Sequence, residues 1–460
     1  MSAISIPTPL TGSGMPLQEN KVLFVWSFTV WLVVMNTTMF NVALPTVLSD
    51  LSLTSTTASW IVSGYSIAFA ISTLTYSRLS DFVPISRLLF IGLSLLSAAS
   101  IIGFLSHQFY ELLAARILQA AGAGAVPGLA MVLAGRYIPL SRRGKAMSFI
   151  ASAASLGFGL GPVIGGSITQ YLGWHYLFGI TGLVVLFIPL FKKLLPLEEV
   201  KTGNFDFIGA ILTGLSITGC LLFISTFSYV ILGSTIILIA ILWKYLNRHV
   251  TPFIQPVLLK NVQFLKLITI GFTGFIIHFS SLFIIPIILT AVFHKGAAAV
   301  GFIIFPGAIL AALAAQWIGR LIDLFGNKPA IFVGQCLLII AAILFAFTST
   351  ITPFFILFTY IFMSIGFSTL TSSISNELTR ILSTSEIGSG LGMAQLVQFI
   401  GGGFGVTLTG LFLALQKGLP YQVMYRNIFF ILLFILLCGM ISFVFYFRKI
   451  KVDQVNELHL

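Results

Sequence analysis

Carboxylates are scarce in this chain. Twelve Asp and Glu are spread over 460 residues, and charged residues of all kinds make up 8% of it. Soluble chains average roughly 25% charged residues, so an ordinary water-soluble domain is excluded. Cysteine is also rare: Cys220, Cys336 and Cys438 all fall inside long apolar runs, which excludes a disulfide framework and leaves no metal site to expect. No GxxxxGK[ST] loop occurs, so ATP is not the expected energy source. No stretch between apolar runs is long enough for a catalytic domain, and nothing groups a nucleophile, a base and an orienting residue. Enzymatic activity and a resident cofactor are therefore not expected. The net charge of +12 forms no basic block, which argues against nucleic acid as a partner.

What the chain has in abundance is apolar length. Hydrophobic residues make up 58% of it, and the mean hydropathy is +1.06. Runs such as Leu88–Leu105 and Ile428–Phe447 can cross about 30 Å of hydrocarbon at about 1.5 Å per residue. Backbone polar groups in that medium must bond to one another, which leaves helices or a closed barrel. The runs are continuous rather than alternating, so helices are expected. Fourteen spans are predicted, at 22–46, 57–77, 87–106, 110–134, 145–168, 174–194, 205–226, 228–247, 264–290, 297–318, 329–349, 352–374, 388–415 and 427–447. The first twenty residues, with Pro7, Pro9 and Gly12, read as a short flexible tail without the basic start of a cleaved signal peptide.

An even number of spans puts both termini on one side. Under that topology twenty of the 24 Lys and Arg lie on the terminal side, Lys295, Lys417 and Arg426 lie opposite, and Arg116 lies within a span. The positive-inside bias then predicts cytoplasmic termini. The chain also repeats itself. Ser77–Arg87 between spans 2 and 3 and Gly319–Lys328 between spans 10 and 11 are both built as small-Arg-Leu-x-Asp, a turn residue and a base. Matching loops point to two six-helix halves made by duplication. The expected fold is all-α and integral to the membrane: two pseudo-symmetric six-helix bundles plus two inserted helices. The expected organisation is an N-terminal tail (1–21), an N-terminal bundle (22–200), an inserted pair (201–250), a C-terminal bundle (251–447) and a C-terminal tail (448–460).

Several motifs resemble those of the major facilitator superfamily, and within it the fourteen-helix drug:proton antiporters, a group that includes the tetracycline exporters of Gram-positive bacteria. Asn41-Val42-Ala43-Leu44-Pro45 ends span 1 as in that group. Ser77–Arg87 resembles the superfamily's loop motif, with Asp81 at the position of its acid. Arg116–Gly122 is similar to the motif with an intramembrane arginine. Gly157-x-Gly159-x-Gly161-Pro162-x-x-Gly165-Gly166 is similar to the antiporter motif, and Phe205-Asp206-x-x-Gly209 opens span 7 as in fourteen-helix members. Arg136–Pro139 and Ile304–Gly307 are similar to stretches of the tetracycline exporters. The resemblance implies a monomeric exporter of a small-molecule substrate in the cell membrane of a Gram-positive bacterium, working by alternating access with protons as the coupling ion.

Physical reading of those residues gives candidates. Asp81 and Asp323 can accept backbone N–H groups at helix starts and pair with Arg78 or Arg320, with Arg87 nearby. The resemblance makes these loops a conformational latch; the plainer reading is loop order and topology. Gly157, Gly161 and Gly165 share one helix face and permit close backbone approach, while Pro162 permits a bend. Arg116 needs an interior partner. Where the resemblance offers an acid in span 1, this chain has Met35-Asn36-Thr37-Thr38, and Asn36 carries no proton. His278, close to the middle of span 9, is open to three readings: proton carrier, ligand contact or structural histidine. Glu111, at the outer end of span 4, is the alternative coupling residue. Asp206 reads as a helix-start residue. Asn36, Arg116, Gln119, Gln395 and Gln398 are the polar candidates for contact with substrate in a cavity rich in aromatic side chains. Three functions remain open: an exporter exchanging an amphipathic, tetracycline-like compound for protons; an exporter of a native metabolite or peptide without proton coupling; and a non-transporting receptor or immunity protein on the same scaffold.

Overall fold

The computed structural model describes residues 19–80, 82–138, 140–195, 198, 205–249, 252–382 and 387–457. The side chains of Arg142, Arg143, Arg320 and Asp323 lie outside the described set, as does all of Asp81. Among the described residues the chain is entirely helical. In order the helices are α1 (Glu19–Asp50), α2 (Ser55–Leu79), α3 (Ile85–Phe104), α4 (Phe109–Ala123), α5 (Ala125–Tyr137), α6 (Leu140–Tyr171), α7 (Tyr176–Gly182), α8 (Ile188–Leu194), α9 (Phe207–Thr226) and α10 (Tyr229–Leu246). There follow α11 (Pro256–Lys260), α12 (Val262–Ala291), α13 (Ala297–Phe325), α14 (Asn327–Thr348), α15 (Pro353–Ile381), α16 (Ile387–Leu415) and α17 (Tyr421–Glu457). Thirteen stretches are long and apolar enough to cross a membrane, and α6, with 32 residues, is long enough as well.

Each predicted span has a helical counterpart; the ends and interruptions differ. Span 4 becomes α4 and α5, interrupted at Gly124 beside Ser72, whose Oγ donates to Ala120 O at 2.9 Å. Span 6 becomes α7, a 3-10 turn over Leu183–Phe187 and α8. Gly182 and the β-branched Val184 and Val185 weaken the helix there, and Pro189 supplies no N–H to it. α1 starts three residues before the predicted span 1, and α17 runs on to Glu457 through most of what was expected to be a tail. α15 continues past residue 374 to Ile381, which carries Glu377 inside a helix.

Packing sorts the helices into two sets, α1–α8 and α12–α17, joined along two seams: α6 against α13, and α2 against α16. The antiporter-like motif lies on two faces of α6. Gly157, Gly161 and Gly165 press on α1, where a Cβ at Gly165 would sit 2.7 Å from both the Cα and the carbonyl of Met39. Thr38 Oγ1 closes that face with a 3.5 Å bond to Gly157 O. On the other face Gly159 meets Ala308, Gly166 meets Ala297, and the Pro162 carbonyl abuts Gly301 of α13. Gln170 Oε1 accepts from Ala298 N at 3.0 Å and ties the seam at its far end. The α2–α16 seam is joined at that same end of the bundle by Thr56 Oγ1, which donates to Gly410 O at 3.4 Å. Both bonds lie at the end opposite the chain termini.

The inserted pair α9–α10 stands outside these seams. α9 touches α2 and α16, whereas α10 packs mainly on α9 and turns its apolar outer face, including Ile236, Ile237 and Trp243, away from the protein. Gly165→Ala is expected to force α1 and α6 apart and cost about 1–3 kcal/mol. Gly179→Ala, where a Cβ meets nothing within 4 Å, is expected to be neutral. Thermal midpoints of the two purified variants measure the difference.

Candidate functional site

The site begins with Arg116, which is 1% exposed inside α4. Its Nη1 donates to Asn36 Oδ1 of α1 at 3.2 Å and to Gln119 Oε1 at 3.1 Å. The guanidinium lies between two aromatic rings, 4.1 Å from the centroid of Phe40 and 4.0 Å from that of Tyr65. Asn36 and Phe40 are four apart on α1, so they share a face and reach the same cation. The surrounding dipoles are fixed in turn. Tyr65 OH accepts from Asn36 Nδ2 at 3.4 Å, Thr181 Oγ1 of α7 donates to Asn36 Oδ1 at 3.1 Å, and Gln119 Nε2 donates to Ser100 Oγ of α3 at 2.8 Å.

Five helices thus converge on a cation without supplying an anion. Among the described residues no ion pair involves Arg116, and its Nε has no hydrogen-bond partner. Holding arginine at the centre of a bilayer helix costs on the order of 3 kcal/mol. Two hydrogen bonds to a charged group contribute roughly 1.5–3 kcal/mol each and a desolvated cation–π contact up to about 2 kcal/mol. The neutral partners therefore suffice to keep the guanidinium in place, but the unit positive charge remains uncompensated.

From Tyr65 a chain of rings crosses from one helix set to the other. Tyr65 stacks on Phe69 at 5.9 Å, and Phe69 meets Phe399 of α16 edge-on at 4.9 Å. Phe399 meets Phe275 of α12 at 5.4 Å, Phe275 meets Phe367 of α15 at 5.0 Å, and Phe367 lies flat on His278 at 3.8 Å. His278 is buried with Nδ1 unpartnered. The hydroxyls of Ser280 and Ser281, also unpartnered, follow it closely on α12. The arrangement is a continuous layer of buried aromatic rings between a cation and an imidazole, contributed by both helix sets.

Other candidates fall elsewhere. Gln398 is buried and Gln395 half-buried on α16, both just before Phe399 in sequence; no hydrogen bond of the described residues links them to Arg116. Glu111 is exposed at the start of α4, where its Oε2 accepts the His107 and Gln108 N–H groups at 2.9 and 3.3 Å in a capping box. Arg78 is half-buried and Arg87 exposed at the loop end of the bundle. The proposed latch through Asp81, and the side chains of Arg320 and Asp323, lie outside the described residues.

Two acids at that end escape a reading based on spans alone. Glu377 is 3% exposed; its Oε1 accepts from Tyr446 OH and its Oε2 from Asn327 Nδ2, both at 2.6 Å, and Arg380 Nη1 lies at 3.5 Å. It ties α14, α15 and α17 beside the second loop motif. Glu198 does the same beside the first, accepting from Tyr137 OH and Ile85 N, both at 2.5 Å, with Arg136 at 3.6 Å. Burial and the neighbouring Glu198 carboxylate push the Tyr137 phenol well above its ordinary pKa. Arg136 Nη1 also donates to Ser80 O at 2.8 Å, which joins this cluster to the loop after α2. The two glutamates come from non-equivalent places in the two halves, Glu198 after span 6 and Glu377 at the end of span 12, so the repeat carried no signal that would pair them. Asp206, expected to start a helix, does so by accepting Gly209 N at 2.7 Å; it also accepts Tyr245 OH at 2.7 Å and Phe253 N at 2.8 Å. One carboxylate thereby fixes both ends of the inserted pair.

With this geometry in hand, comparison with known proteins is informative. The family model described as "Major Facilitator Superfamily" matches residues 26–406, and again 312–458. The riboflavin transporter RibZ of Clostridioides difficile is 24% identical over 346 residues, covering 74% of this chain and 76% of that protein. The lincomycin resistance protein LmrB of Listeria monocytogenes is 24% identical over 316 residues, covering 66% and 67%. Among solved structures, a bacterial homologue of the human lysosomal transporter Spinster, inward-facing and unoccupied, superposes with a TM-score of 0.69 at 15% identity, covering 95% of this chain and 98% of that one. The peptide transporter POT in complex with alafosfalin gives 0.69 at 18% identity, covering 93% and 94%. At these identities the structural likeness concerns the fold.

Asp206→Ala removes an acceptor that three donors share. It is expected to loosen the inserted pair by about 2–4 kcal/mol. Amide exchange in Phe207–Leu246 should quicken, and α12–α17 should be unaffected.

Proposed function

The chain belongs to the Major Facilitator Superfamily, and we propose that it exports amphipathic small molecules with a flat aromatic body, by alternating access around the Arg116–His278 layer. The observation that carries this reading is the uninterrupted run of aromatic faces from the Arg116 guanidinium to His278, contributed by both helix sets. A site built from both sets is reshaped whenever they move against each other, which is what coupling of binding to access requires. The termini are assigned to the cytoplasm and the chain to the plasma membrane, with 22–200 and 251–447 as the two moving bundles and 201–250 as the inserted pair.

The α6 motif supports export as the direction. Its glycines allow α6 to lie against α1 and α13 at once, so α6 can transmit motion between the sets while keeping a tight seam at the end opposite the termini. The loops at Asp81 and Asp323, with Glu198 and Glu377 beside them, are assigned as the cytoplasmic latch. Proton exchange is the coupling we assign, with His278 as carrier. Its buried, unpartnered Nδ1 beside cargo-sized aromatic surface supports that role more than the exposed, cap-bound Glu111 supports its own. A receptor or immunity role has less in its favour, because a pure binder needs neither a sliding glycine seam nor duplicated loop clusters. Tetracycline, flat and amphipathic, is the compound to test first.

The test is energised uptake of tetracycline into inverted membrane vesicles, with and without a protonophore. Uptake should require the protein and fall several-fold when the proton gradient is collapsed. In His278→Ala that sensitivity should disappear while tetracycline binding persists. Protein-dependent uptake indifferent to the protonophore would remove proton exchange from the proposal.

A further inference from the structure

We infer that the groove between α1 and α8, at the end of the bundle that carries the chain termini, binds an anionic phospholipid. α1 begins at that end with Glu19, and α8 finishes there at Leu194. Deeper in the bundle the two stretches are joined by rings: Trp26 meets Phe191 edge-on at 5.2 Å, and Phe28 meets Phe187 at 5.5 Å. Beyond those rings the helices leave an open cavity of about 400 Å³. Its apolar walls include Phe24 and Leu190, and no protein covers them: Phe24 is 64% and Leu190 43% exposed. Lys21 of α1 and Lys193 of α8 line the same cavity, and Lys192 is exposed at the preceding position.

Among the described residues none of these three lysines has an ion-pair partner. Of the described acids close to them in sequence, Glu198 is held by Tyr137, Ile85 N and Arg136. Glu19 stands two positions before Lys21, a spacing that puts their side chains on different faces of α1. A free anion gains nothing from the exposed walls, and a neutral lipid gains nothing from the lysines. A phospholipid with a net negative headgroup uses both: its chains cover Phe24 and Leu190, and the lysine stems lie along hydrocarbon while their ammonium groups reach the phosphate. The positive-inside bias alone spreads lysines around the rim and does not bring two from separate helices to one apolar groove. Both walls belong to the α1–α8 set, so the groove keeps its shape as the sets move, and the lipid braces that set. The leaflet, though not the site, rests on the cytoplasmic assignment of the termini, which makes it the inner one.

The test offers the purified full-length protein in detergent equal amounts of phosphatidylglycerol and phosphatidylcholine with the same chains, and counts retained lipid by native mass spectrometry. Phosphatidylglycerol is expected to be preferred about tenfold or more, since each lysine near the membrane surface contributes roughly fivefold. The double variant Lys21→Gln, Lys193→Gln should erase most of that preference. The double variant Lys295→Gln, Lys417→Gln, which removes the same charge from exposed lysines at the opposite end, should keep it. Gel filtration confirms that both are folded. Glycerol phosphate, which has the headgroup chemistry without chains, should not displace the lipid at equal concentration. Equal retention of the two lipids, or a preference that survives in the first variant or is lost in both, overturns the inference. Displacement by glycerol phosphate makes the groove a site for free phosphate and overturns it too. No cargo is present in these measurements, so each of those results leaves the exporter reading intact.

Discussion

A guanidinium held in hydrocarbon must be satisfied by protein, and in this molecule that requirement organises the N-terminal helices. Arg116 draws Asn36 and Phe40 from α1, Tyr65 from α2, and through Gln119 and Asn36 it engages Ser100 of α3 and Thr181 of α7. Each of those contacts fixes a helix rotation, because a turn of roughly 100° on any helix would leave a polar group facing lipid or bare hydrocarbon. The aromatic rings hold the cation from its two faces, and the same Tyr65 begins the ring chain that leads into the C-terminal helices. The interaction that fixes the N-terminal set is therefore continuous with the packing between the sets.

Motion enters through the seams. Small residues on α6 bring its backbone against α1 and α13, and such contacts rely on dispersion rather than on strong directional bonds. The described seams carry single hydrogen bonds near one end, Gln170 to Ala298 N and Thr56 to Gly410 O. At the opposite end the acids act within a set: Glu198 links α3 to α5, and Glu377 links α14, α15 and α17. Each set is stiffened internally at that end, so the expected movement is of rigid bundles. Asp206 fastens the inserted pair at the end where α9 starts and α10 finishes, and the pair contributes little to the seams.

Much of this was legible in the residues. Apolar run length gives the helices, and the repeated loops point to the two helix sets. Arg116 and Asn36 were identifiable as partners because a buried cation needs an acceptor and span 1 offered an amide. Three things were hidden. Whether a phenylalanine faces lipid or a neighbouring ring depends on helix rotation, so Phe40, Phe69, Phe367 and Phe399 carried no sequence signal among 44 phenylalanines. Helix ends were set by hydropathy, which stops at residue 374 although α15 continues to Ile381 and buries Glu377. Glu111 looked like a candidate for chemistry, whereas its local spacing to Gln108 makes a capping box.

The central claim is that the two helix sets separate and rejoin around the Arg116–His278 layer. Ser59 of α2 and Gly410 of α16 face each other across the seam opposite the termini; a Cβ at Gly410 would lie 2.8 Å from that of Ser59, so the helices must part slightly to reach the ~3.5–4.5 Å that a disulfide spans. The direct measurement is transport by a Ser59→Cys, Gly410→Cys double variant in a background lacking Cys220, Cys336 and Cys438, before and after oxidation. The account predicts that oxidation stops transport and that a reductant restores it. Full transport with the disulfide formed would contradict it.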